Sequence, residues 1–254
     1  MTSLVISGAS GRLGARILAH AQAADGIKVA GALLREGSAR LAEGAPFTAD
    51  EAVIQAGRVL IECAPKPAAL AHAARAKEAG APILMATTGF TPSERSLVEA
   101  HAQQVPVLIA PNLSLGVTVL LDLVARAAAA LPGYDLEIVE LPHSNKRDAP
   151  SGTAWALARA GAAARGLDAD REAILARAGD IGPRGEDEIG IQSIRGGDII
   201  GEHTVYLVGP TERLELTHRA QSRDVFAAGA LAAARFLAEQ KPGLYAMRDV
   251  LALS

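Results

Sequence analysis

Cysteine is almost absent from this chain of 254 residues. The single cysteine, Cys63, cannot form an internal disulfide, and disulfides are the mark of proteins in oxidising compartments. A basic leader followed by an apolar core is also missing at the N-terminus. From these two absences we expect a cytoplasmic protein.

A strong net charge and long apolar runs are absent as well. The net charge of −3 gives no electrostatic reason to expect nucleic acid or an anionic membrane as a partner. The longest apolar stretch, 117–131, contains Asp122 and Arg126, and it is too short and too charged to span a bilayer. No two of the six histidines have His-x-x-x-His spacing, and the sequence contains no Cys-x-x-Cys. No metal site is therefore predicted.

Half of the residues are hydrophobic and 25 are glycine, a composition typical of one or two globular domains. Strand-like and helix-like segments alternate up to about residue 112. This rhythm predicts an α/β domain with a Rossmann-like, doubly wound parallel sheet. The predicted strands are 3–7, 28–34, 59–63, 82–87 and 107–110, and helices are predicted to begin at Arg12, Pro67 and Pro92.

Three glycines stand between the first predicted strand and its helix. Gly8, Gly11 and Gly14 have a variant of the dinucleotide-binding spacing, in which glycine lets the backbone approach a pyrophosphate at a helix N-terminus. The alternative is a tight turn without a ligand. Because the motif follows the first strand of an alternating half, the nucleotide interpretation is favoured. The sequence has no Gly-Lys-Ser or Gly-Lys-Thr, which excludes an ATP-type phosphate loop.

The end of the second predicted strand favours NADPH over NADH. An acidic side chain there would bind the ribose 2′-hydroxyl, but Leu34 cannot accept a hydrogen bond. The planar guanidinium of Arg35 matches a 2′-phosphate instead. A solvated Arg35, or a competing role for Glu36, would remove this preference and leave NADH possible.

The second half of the chain changes character. A helix is predicted over 120–131, and strand-like segments follow at 134–140, 188–195, 203–208 and 213–219, with Gly-Gly and Gly-Pro turns between the last three. A final helix is predicted from about Ser222. This pattern predicts a C-terminal α+β domain with an antiparallel or mixed sheet.

Candidate ligand groups follow the predicted strand 134–140. Ser151 is a good N-cap for the alanine-rich helix that starts at Gly152, so the backbone N–H groups of Gly152 and Thr153 would present the positive end of the helix dipole. Lys146 and His143 add donors from the preceding loop. Together these residues predict a site for a carboxylate or phosphate, here named the anion cradle. The alternative is an ordinary capped helix beside a solvated lysine.

The same stretch carries a resemblance to a known family. Residues 146–154 read Lys-Arg-Asp-Ala-Pro-Ser-Gly-Thr-Ala, which resembles the signature of the bacterial dihydrodipicolinate reductases, the 4-hydroxy-tetrahydrodipicolinate reductases of lysine and diaminopimelate synthesis. Further motifs at 8–14, 87–90, 110–114, 195–203 and 243–251 fall in the family's order. The resemblance therefore covers nearly the whole chain.

The resemblance implies a reaction and an organisation. Hydride would pass from NADPH or NADH to a cyclic unsaturated imine with two carboxylates, and the resulting enamine would then be protonated. Residues 1–112 plus 235–254 would form the dinucleotide-binding domain, and residues 113–234 the substrate-binding and tetramerisation domain of a homotetramer.

The resemblance also assigns site residues. One substrate carboxylate would be held by His143, Lys146, Ser151, Gly152 and Thr153. The cofactor would be held by Gly8, Ala9, Ser10, Gly11, Arg12, Leu13, Arg35, Ala86, Thr87, Thr88, Ala110, Pro111, Asn112 and Leu113.

One departure from the family pattern concerns the proton donor. The family motif has two adjacent histidines, of which the first is the usual proposed donor, and Pro142 stands in its place here. The predicted catalytic residues are therefore His143 and Lys146, with water as the alternative source of the proton. Turnover should be slower without a positioned general acid, which is typically worth roughly 10²- to 10⁴-fold in rate.

Smaller departures lie in the cofactor half. Ala86 replaces a glycine, and residues 62–64 read Glu-Cys-Ala where the family tends to have Asp-Phe-Thr.

Two other functions stay open: a reductase of another cyclic imine or keto dicarboxylate, and a non-catalytic nucleotide-binding paralogue. Cys63 and His218 are taken as core or surface residues. Structural roles are predicted for Glu140, Asp148, Arg195, Asp198, Glu202 and His203.

Overall fold

The computed structural model describes residues 1–35 and 44–253. The chain divides into two compact units, the first formed by Met1–Leu115 with Asp224–Ser254 and the second by Gly116–Arg223. The boundary predicted at residue 235 falls inside the helix Asp224–Leu237. Because the buried alanines of that helix belong to a hydrophobic core of the first unit, the whole helix lies in that unit.

Strands and helices are numbered along the described part of the chain. The strands are β1 (Thr2–Ser7), β2 (Ile27–Leu33), β3 (Phe47–Thr48), β4 (Arg58–Glu62), β5 (Ile83–Met85), β6 (Pro106–Ile109), β7 (Asp135–Leu141), β8 (Ala173–Ile174), β9 (Ile189–Ser193), β10 (Glu202–Val208), β11 (Arg213–Arg219) and β12 (Gly243–Tyr245). The α-helices are α1 (Arg12–Ala23), α2 (Lys66–Ala79), α3 (Pro92–Ala100), α4 (Leu115–Ala130), α5 (Gly152–Ala163), α6 (Ala169–Glu172), α7 (Asp224–Leu237) and α8 (Met247–Val250).

The first unit is built on a parallel sheet with the strand order β12-β6-β5-β4-β1-β2-β3. Its central strands are apolar on both faces, as expected when helices cover both sides of a sheet. On β1, Leu4 and Ile6 face a core that includes residues of α1 and α7, whereas Val5 faces a second core with residues of α2 and α3. The predicted Rossmann-like, doubly wound sheet is therefore confirmed.

The second unit is built on a mixed sheet with the strand order β11-β10-β7-β9-β8. The pairs β7–β10 and β10–β11 are antiparallel, whereas β7–β9 and β8–β9 are parallel. Buried and half-buried residues alternate along β7 and β10, so one face of the sheet packs on residues of α4 and α5. The predicted C-terminal α+β architecture is confirmed.

Three short strands were not expected from the sequence. β3 and β8 have two residues each, and β12 has three. Segments of this length show no alternation that could be recognised, and their place depends on the longer strands beside them. Within the described residues, no helix is both long and apolar enough to cross a membrane.

Candidate active site

A cleft of about 1030 Å³ lies in the first unit, at the carboxyl ends of β1, β2, β4 and β5. Open parallel sheets bind their ligands at this edge, and the volume is at the upper end for a cofactor site. Many of the lining residues come from the turns that follow these strands. The lining consists of Ser7, Gly8, Ser10, Gly11, Leu33, Leu34, Arg35, Ala49, Glu51, Cys63, Ala64, Pro65, Lys66, Ala68, His72, Ala86, Thr87 and Thr88.

The glycines of the first turn allow a close approach of three backbone segments. Gly8 has a φ of +68°, and an added Cβ there would lie 2.8 Å from backbone atoms of Cys63 and Ala64. A Cβ at Gly14 would collide with the carbonyl oxygen of Gly8. Gly11 is the N-cap residue of α1 and makes no side-chain cap, so no N-cap side chain bonds to the first-turn N–H groups of that helix.

Arg35 follows β2 and lines the cleft with an exposed side chain. Leu34, half-buried beside it, also lines the cleft. The predicted contact of Arg35 to a 2′-phosphate stays a prediction. Glu36, which the competing interpretation invokes, lies outside the described residues.

The turn after β5 brings Ala86, Thr87 and Thr88 into the same cleft. The hydroxyl of Thr87 donates to the carbonyl oxygen of Ala64 over 2.8 Å, which fixes this turn to the end of β4. Burial, together with the adjacent charge of Glu62, raises the pKa of the Cys63 thiol well above its usual range. Cys63 is therefore an unreactive lining residue.

A buried polar cluster at the cleft was not predicted from the sequence. The carboxylate of Glu62 lies 2.8 Å from Nδ1 of His72 and accepts the N–H of Ala64 over 2.6 Å. The same Nδ1 lies 2.9 Å from the hydroxyl of Ser7. The bond to Glu62 raises the pKa of His72, against the opposing effect of burial. Glu62 and His72 come from a strand and a helix, so their spacing in the chain gives no sign of this contact.

The remaining predicted cofactor residues do not line this cleft. Ala9 is buried in the core, and Leu13 packs against it from α1. Asn112 accepts the N–H of Ser114 over 2.9 Å in the segment that precedes α4. The residues outside the lining are Ala9, Arg12, Leu13, Ala110, Pro111, Asn112 and Leu113.

In the second unit, the predicted N-cap of α5 is present. The Ser151 hydroxyl accepts the N–H of Ala154 over 3.1 Å, and the helix begins at Gly152. An added Cβ at Gly152 would meet no atom within 4 Å, so the space in front of this helix end is open. Thr153 is half-buried in the first turn. The predicted N-cap is therefore confirmed, and the anion site at this helix end stays a prediction.

Lys146 and His143 lie in the loop between β7 and α5. The Lys146 ammonium group is 2.8 Å from each carboxylate oxygen of Asp148, and this contact lowers the pKa of Asp148. A ligand carboxylate would therefore share Lys146 with Asp148. Nδ1 of His143 is buried and has no hydrogen-bond partner among the described residues.

Glu140, at the end of β7, is fully buried behind this loop. Both carboxylate oxygens accept the backbone N–H of Ser151 at 3.1 Å, and one of them also accepts the Ser193 hydroxyl over 2.7 Å. Burial alone would raise the pKa of Glu140, but the bonds from Ser151 and Ser193 outweigh it and the pKa is lowered. A structural role was predicted for Glu140, and its position beneath the cradle was missed. The alternation of β7 could have shown this position, since Glu140 follows Leu136 and Ile138 on the buried face of the strand.

His203 on β10 is buried beside Glu140 and Ser151. Its Nε2 lies 3.4 Å from the Ser151 hydroxyl and 3.9 Å from the Glu140 carboxylate. Burial lowers the pKa of His203 to about 4, against the opposing effect of Glu140. His203 is therefore neutral near pH 7, and the positive charges in this region belong to Lys146 and Arg195.

Acidification is expected to destabilise the second unit because of His203. The folded pKa of about 4 is below the unfolded value, so the unfolded chain binds an extra proton as pH falls from about 6.5 towards 4. The loss of unfolding free energy between pH 7 and pH 5 should be about 2 kcal/mol smaller in His203→Gln than in the unmodified chain. Urea unfolding followed by fluorescence of Trp155, the single tryptophan, measures this difference. An equal loss in both proteins would exclude His203 as the cause.

Across residues 1–35 and 44–253, no three His, Cys, Asp or Glu side chains are grouped so that they could hold a metal ion.

The fold defines the class of this protein: a two-unit chain whose first unit has the Rossmann-type architecture of dinucleotide-binding proteins. Two family models match almost the whole chain, "Dihydrodipicolinate reductase, N-terminus" over residues 2–113 and "Dihydrodipicolinate reductase, C-terminus" over residues 116–251. The chain therefore belongs to the dihydrodipicolinate reductase family.

Individual relatives agree with this assignment. The chain is 42% identical over 266 residues to the 4-hydroxy-tetrahydrodipicolinate reductase of Citrifermentans bemidjiense, covering 100% of both chains. It is 45% identical over 264 residues to the enzyme of the same name from Anaeromyxobacter sp. strain Fw109-5, covering 100% of this chain and 98% of the relative. A solved structure, dipicolinate-bound dihydrodipicolinate reductase from Paenisporosarcina sp. TG-14, has the same fold with a TM-score of 0.80, at 21% identity and with 97% of each chain covered.

Proposed function

We propose that this chain is an NADPH-dependent 4-hydroxy-tetrahydrodipicolinate reductase, which transfers hydride to a cyclic dicarboxylate and then protonates the resulting enamine. The observation that carries the proposal is the anion cradle, formed by Lys146 and the N-terminal end of α5, in a chain that the family models match almost throughout. A substrate with two carboxylates requires such a site.

The first unit has the features that a nicotinamide dinucleotide requires. The turn at Gly8 and the start of α1 fit a pyrophosphate, because the glycine backbone is accessible and the helix dipole favours negative charge. When bound, the reduced nicotinamide supplies the hydride. The residues proposed to bind the cofactor in the cleft are Gly8, Ser10, Gly11, Arg35, Ala86, Thr87 and Thr88. For the residues outside the lining, the resemblance to the family is the only support; these are Ala9, Arg12, Leu13, Ala110, Pro111, Asn112 and Leu113.

In the second unit, one substrate carboxylate is proposed to bind to Lys146 by a charge-assisted hydrogen bond and to the first turn of α5 by its N–H groups. His143, Ser151, Gly152 and Thr153 complete this binding site. The solved relative from Paenisporosarcina sp. TG-14 supports the proposal, because it is bound to dipicolinate, a cyclic compound with two carboxylates.

The proton is proposed to come from His143 or Lys146, since Pro142 has no titratable group. The imidazole of His143 is the better candidate, because its buried Nδ1 has no hydrogen-bond partner among the described residues. Lys146 is held by Asp148 and keeps its main role as an anchor for the carboxylate. The expected consequence is slow but real turnover.

The preference for NADPH is expected to depend on Arg35. Arg35→Ala should weaken NADPH binding selectively, because it removes the guanidinium proposed to contact the 2′-phosphate. A charge-assisted bond of this kind is worth about 1.5 to 3 kcal/mol, or about ten- to a hundredfold in Kd. Titration of both cofactors, followed by fluorescence, measures the effect. An equal loss for NADPH and NADH, or an unmodified chain that prefers NADH, would contradict this role.

The second unit is also proposed to mediate assembly of a homotetramer. Support comes from the face of its sheet away from α4 and α5, where Val139, Thr204 and Tyr206 are half-buried. Light scattering coupled to size exclusion tests the proposal, and a monomer at assay concentrations would contradict it.

The function itself is tested by following NADPH absorbance with freshly generated substrate. Substrate-dependent oxidation, inhibited competitively by pyridine-2,6-dicarboxylate, is the expected result. Oxidation that this dicarboxylate does not inhibit would argue for a reductase of a different substrate.

A further inference from the structure

The fully buried carboxylate of Glu140 joins three segments of the second unit. Glu140 is the penultimate residue of β7, its oxygens accept the backbone N–H of Ser151 at the N-cap of α5, and one oxygen accepts the Ser193 hydroxyl at the end of β9. A guanidinium nitrogen of Arg195 lies 3.5 Å from the same oxygen. All of these neighbours are donors, so the ionised carboxylate satisfies them together.

Arg195 extends this network to the loop that carries Lys146. It donates to the carbonyl oxygen of Asp148 over 2.6 Å and to that of Lys146 over 3.4 Å. The two parts of the anion cradle, the helix end and the lysine loop, are therefore both attached to Glu140, one directly and one through Arg195.

A buried carboxylate is an unexpected neighbour for an anion site. Its negative charge opposes binding of a second carboxylate nearby, and its burial is costly unless donors surround it. An apolar residue at this position would avoid both costs, as Ile138 and Leu136 do two and four residues earlier on the same face of β7. The contacts of Glu140 therefore indicate that its role is to bind several hydrogen-bond donors at once, which an apolar side chain that only fills the core could not do.

We propose that Glu140 is the positioning residue of the anion cradle: with Arg195 it holds the lysine loop and the first turn of α5 in the relative placement that a substrate carboxylate requires. This inference rests on the proposed function, because it assigns the residue that prepares that same substrate site. Glu140 does not touch the substrate itself, since it is buried behind Ser151.

Glu140→Gln distinguishes positioning from a simple effect of charge. Glutamine has the same shape, but its amide NH₂ would face one of the donors, so at least one bond is lost and Arg195 loses its charged partner. Positioning predicts that the Kd for pyridine-2,6-dicarboxylate rises about ten- to a hundredfold, the range for a hydrogen bond to a charged group. A pure charge effect predicts tighter binding, because a negative charge is removed.

Glu137→Gln is the matched control. Glu137 lies on the same strand, its carboxylate also pairs with arginines, Arg177 and Arg184, and the alternation of β7 places it on the opposite face. This control should bind the dicarboxylate as the unmodified chain does. NADPH affinity should be unchanged in both variants.

A second, milder variant keeps the test informative if Glu140→Gln does not fold. Ser193→Ala removes one neutral donor to Glu140 and should raise the Kd for pyridine-2,6-dicarboxylate by about threefold, following the range for an ordinary hydrogen bond.

In protein labelled with ¹⁵N-serine, the amide proton of Ser151 should shift upfield in Glu140→Gln, because its bond to a carboxylate is lost. A purely structural role for Glu140 would lower thermal stability without changing dicarboxylate affinity in the folded variant.

The outcomes separate this inference from the proposed function. If the unmodified chain does not bind pyridine-2,6-dicarboxylate, the proposed function fails, and the inference fails with it. If the unmodified chain binds and folded Glu140→Gln binds equally well or more tightly, the positioning role alone is overturned. Weaker binding in Glu140→Gln, with unchanged binding in Glu137→Gln, supports it.

Discussion

Replacing Pro142 by histidine is expected to raise kcat by about a hundredfold, the lower end of the contribution of a positioned general acid. Pro142 directly follows β7 and is buried, so a side chain at this position lies within the second unit beside the cradle loop. Its carbonyl oxygen accepts the N–H of Gly196 over 3.2 Å, a bond that does not depend on the side chain. Histidine can adopt the φ near −65° that proline imposes, so the loop can keep its path.

The pH dependence identifies the new group as an acid. A general acid must be protonated to act, so kcat of Pro142→His should fall as pH rises through the imidazole pKa, ordinarily about 6.5. Pro142→Ala is the control, because it removes the ring without adding a proton donor, and its kcat should stay near that of the unmodified chain. If Pro142→His binds the dicarboxylate normally and is no faster than Pro142→Ala, the missing acid is not what limits turnover.

Replacing Lys146 by alanine is expected to raise KM about ten- to a hundredfold and to lower kcat as well. The substitution removes a charge-assisted bond to the substrate carboxylate, worth about 1.5 to 3 kcal/mol. It also leaves the Asp148 carboxylate without the ammonium group 2.8 Å away, which adds repulsion towards an anionic substrate. The increase in KM should therefore lie in the upper part of the range.

Two companion variants isolate these effects. Arg147→Ala removes an exposed positive charge next to Lys146 and should change KM little, since exposed charges are screened. The double variant Lys146→Ala, Asp148→Asn should recover part of the lost affinity, because the repulsion is removed. A KM in Lys146→Ala equal to that of the unmodified chain would exclude the clamp.

The sequence predicted the first unit well for a physical reason. Its strands are buried on both faces and its helices begin at recognisable signals, such as Pro92 after the N-cap Thr91, so each element is defined locally. The short strands β3, β8 and β12 escaped prediction because two or three residues show no alternation, and because β12 pairs with β6, which is distant in the chain. The N-cap of α5 was predicted correctly because Ser151 acts on its own helix.

The contacts behind the two sites could not be read from local patterns. Glu140 and His203 meet across neighbouring strands, and Glu62 meets His72 between a strand and a helix. Pairs of this kind are set by the register of the sheet and the packing of helices, which the sequence specifies only through the whole fold. The assignment of merely structural roles to Glu140 and His203 thus overlooked their closeness to Ser151.

The most direct test of the central claim is an NADPH oxidation assay on the unmodified chain with authentic 4-hydroxy-tetrahydrodipicolinate, between about pH 6 and pH 8. The account predicts slow, substrate-dependent oxidation that pyridine-2,6-dicarboxylate inhibits. Tight NADPH binding without any oxidation across this range would contradict the reductase assignment and favour a non-catalytic nucleotide-binding paralogue.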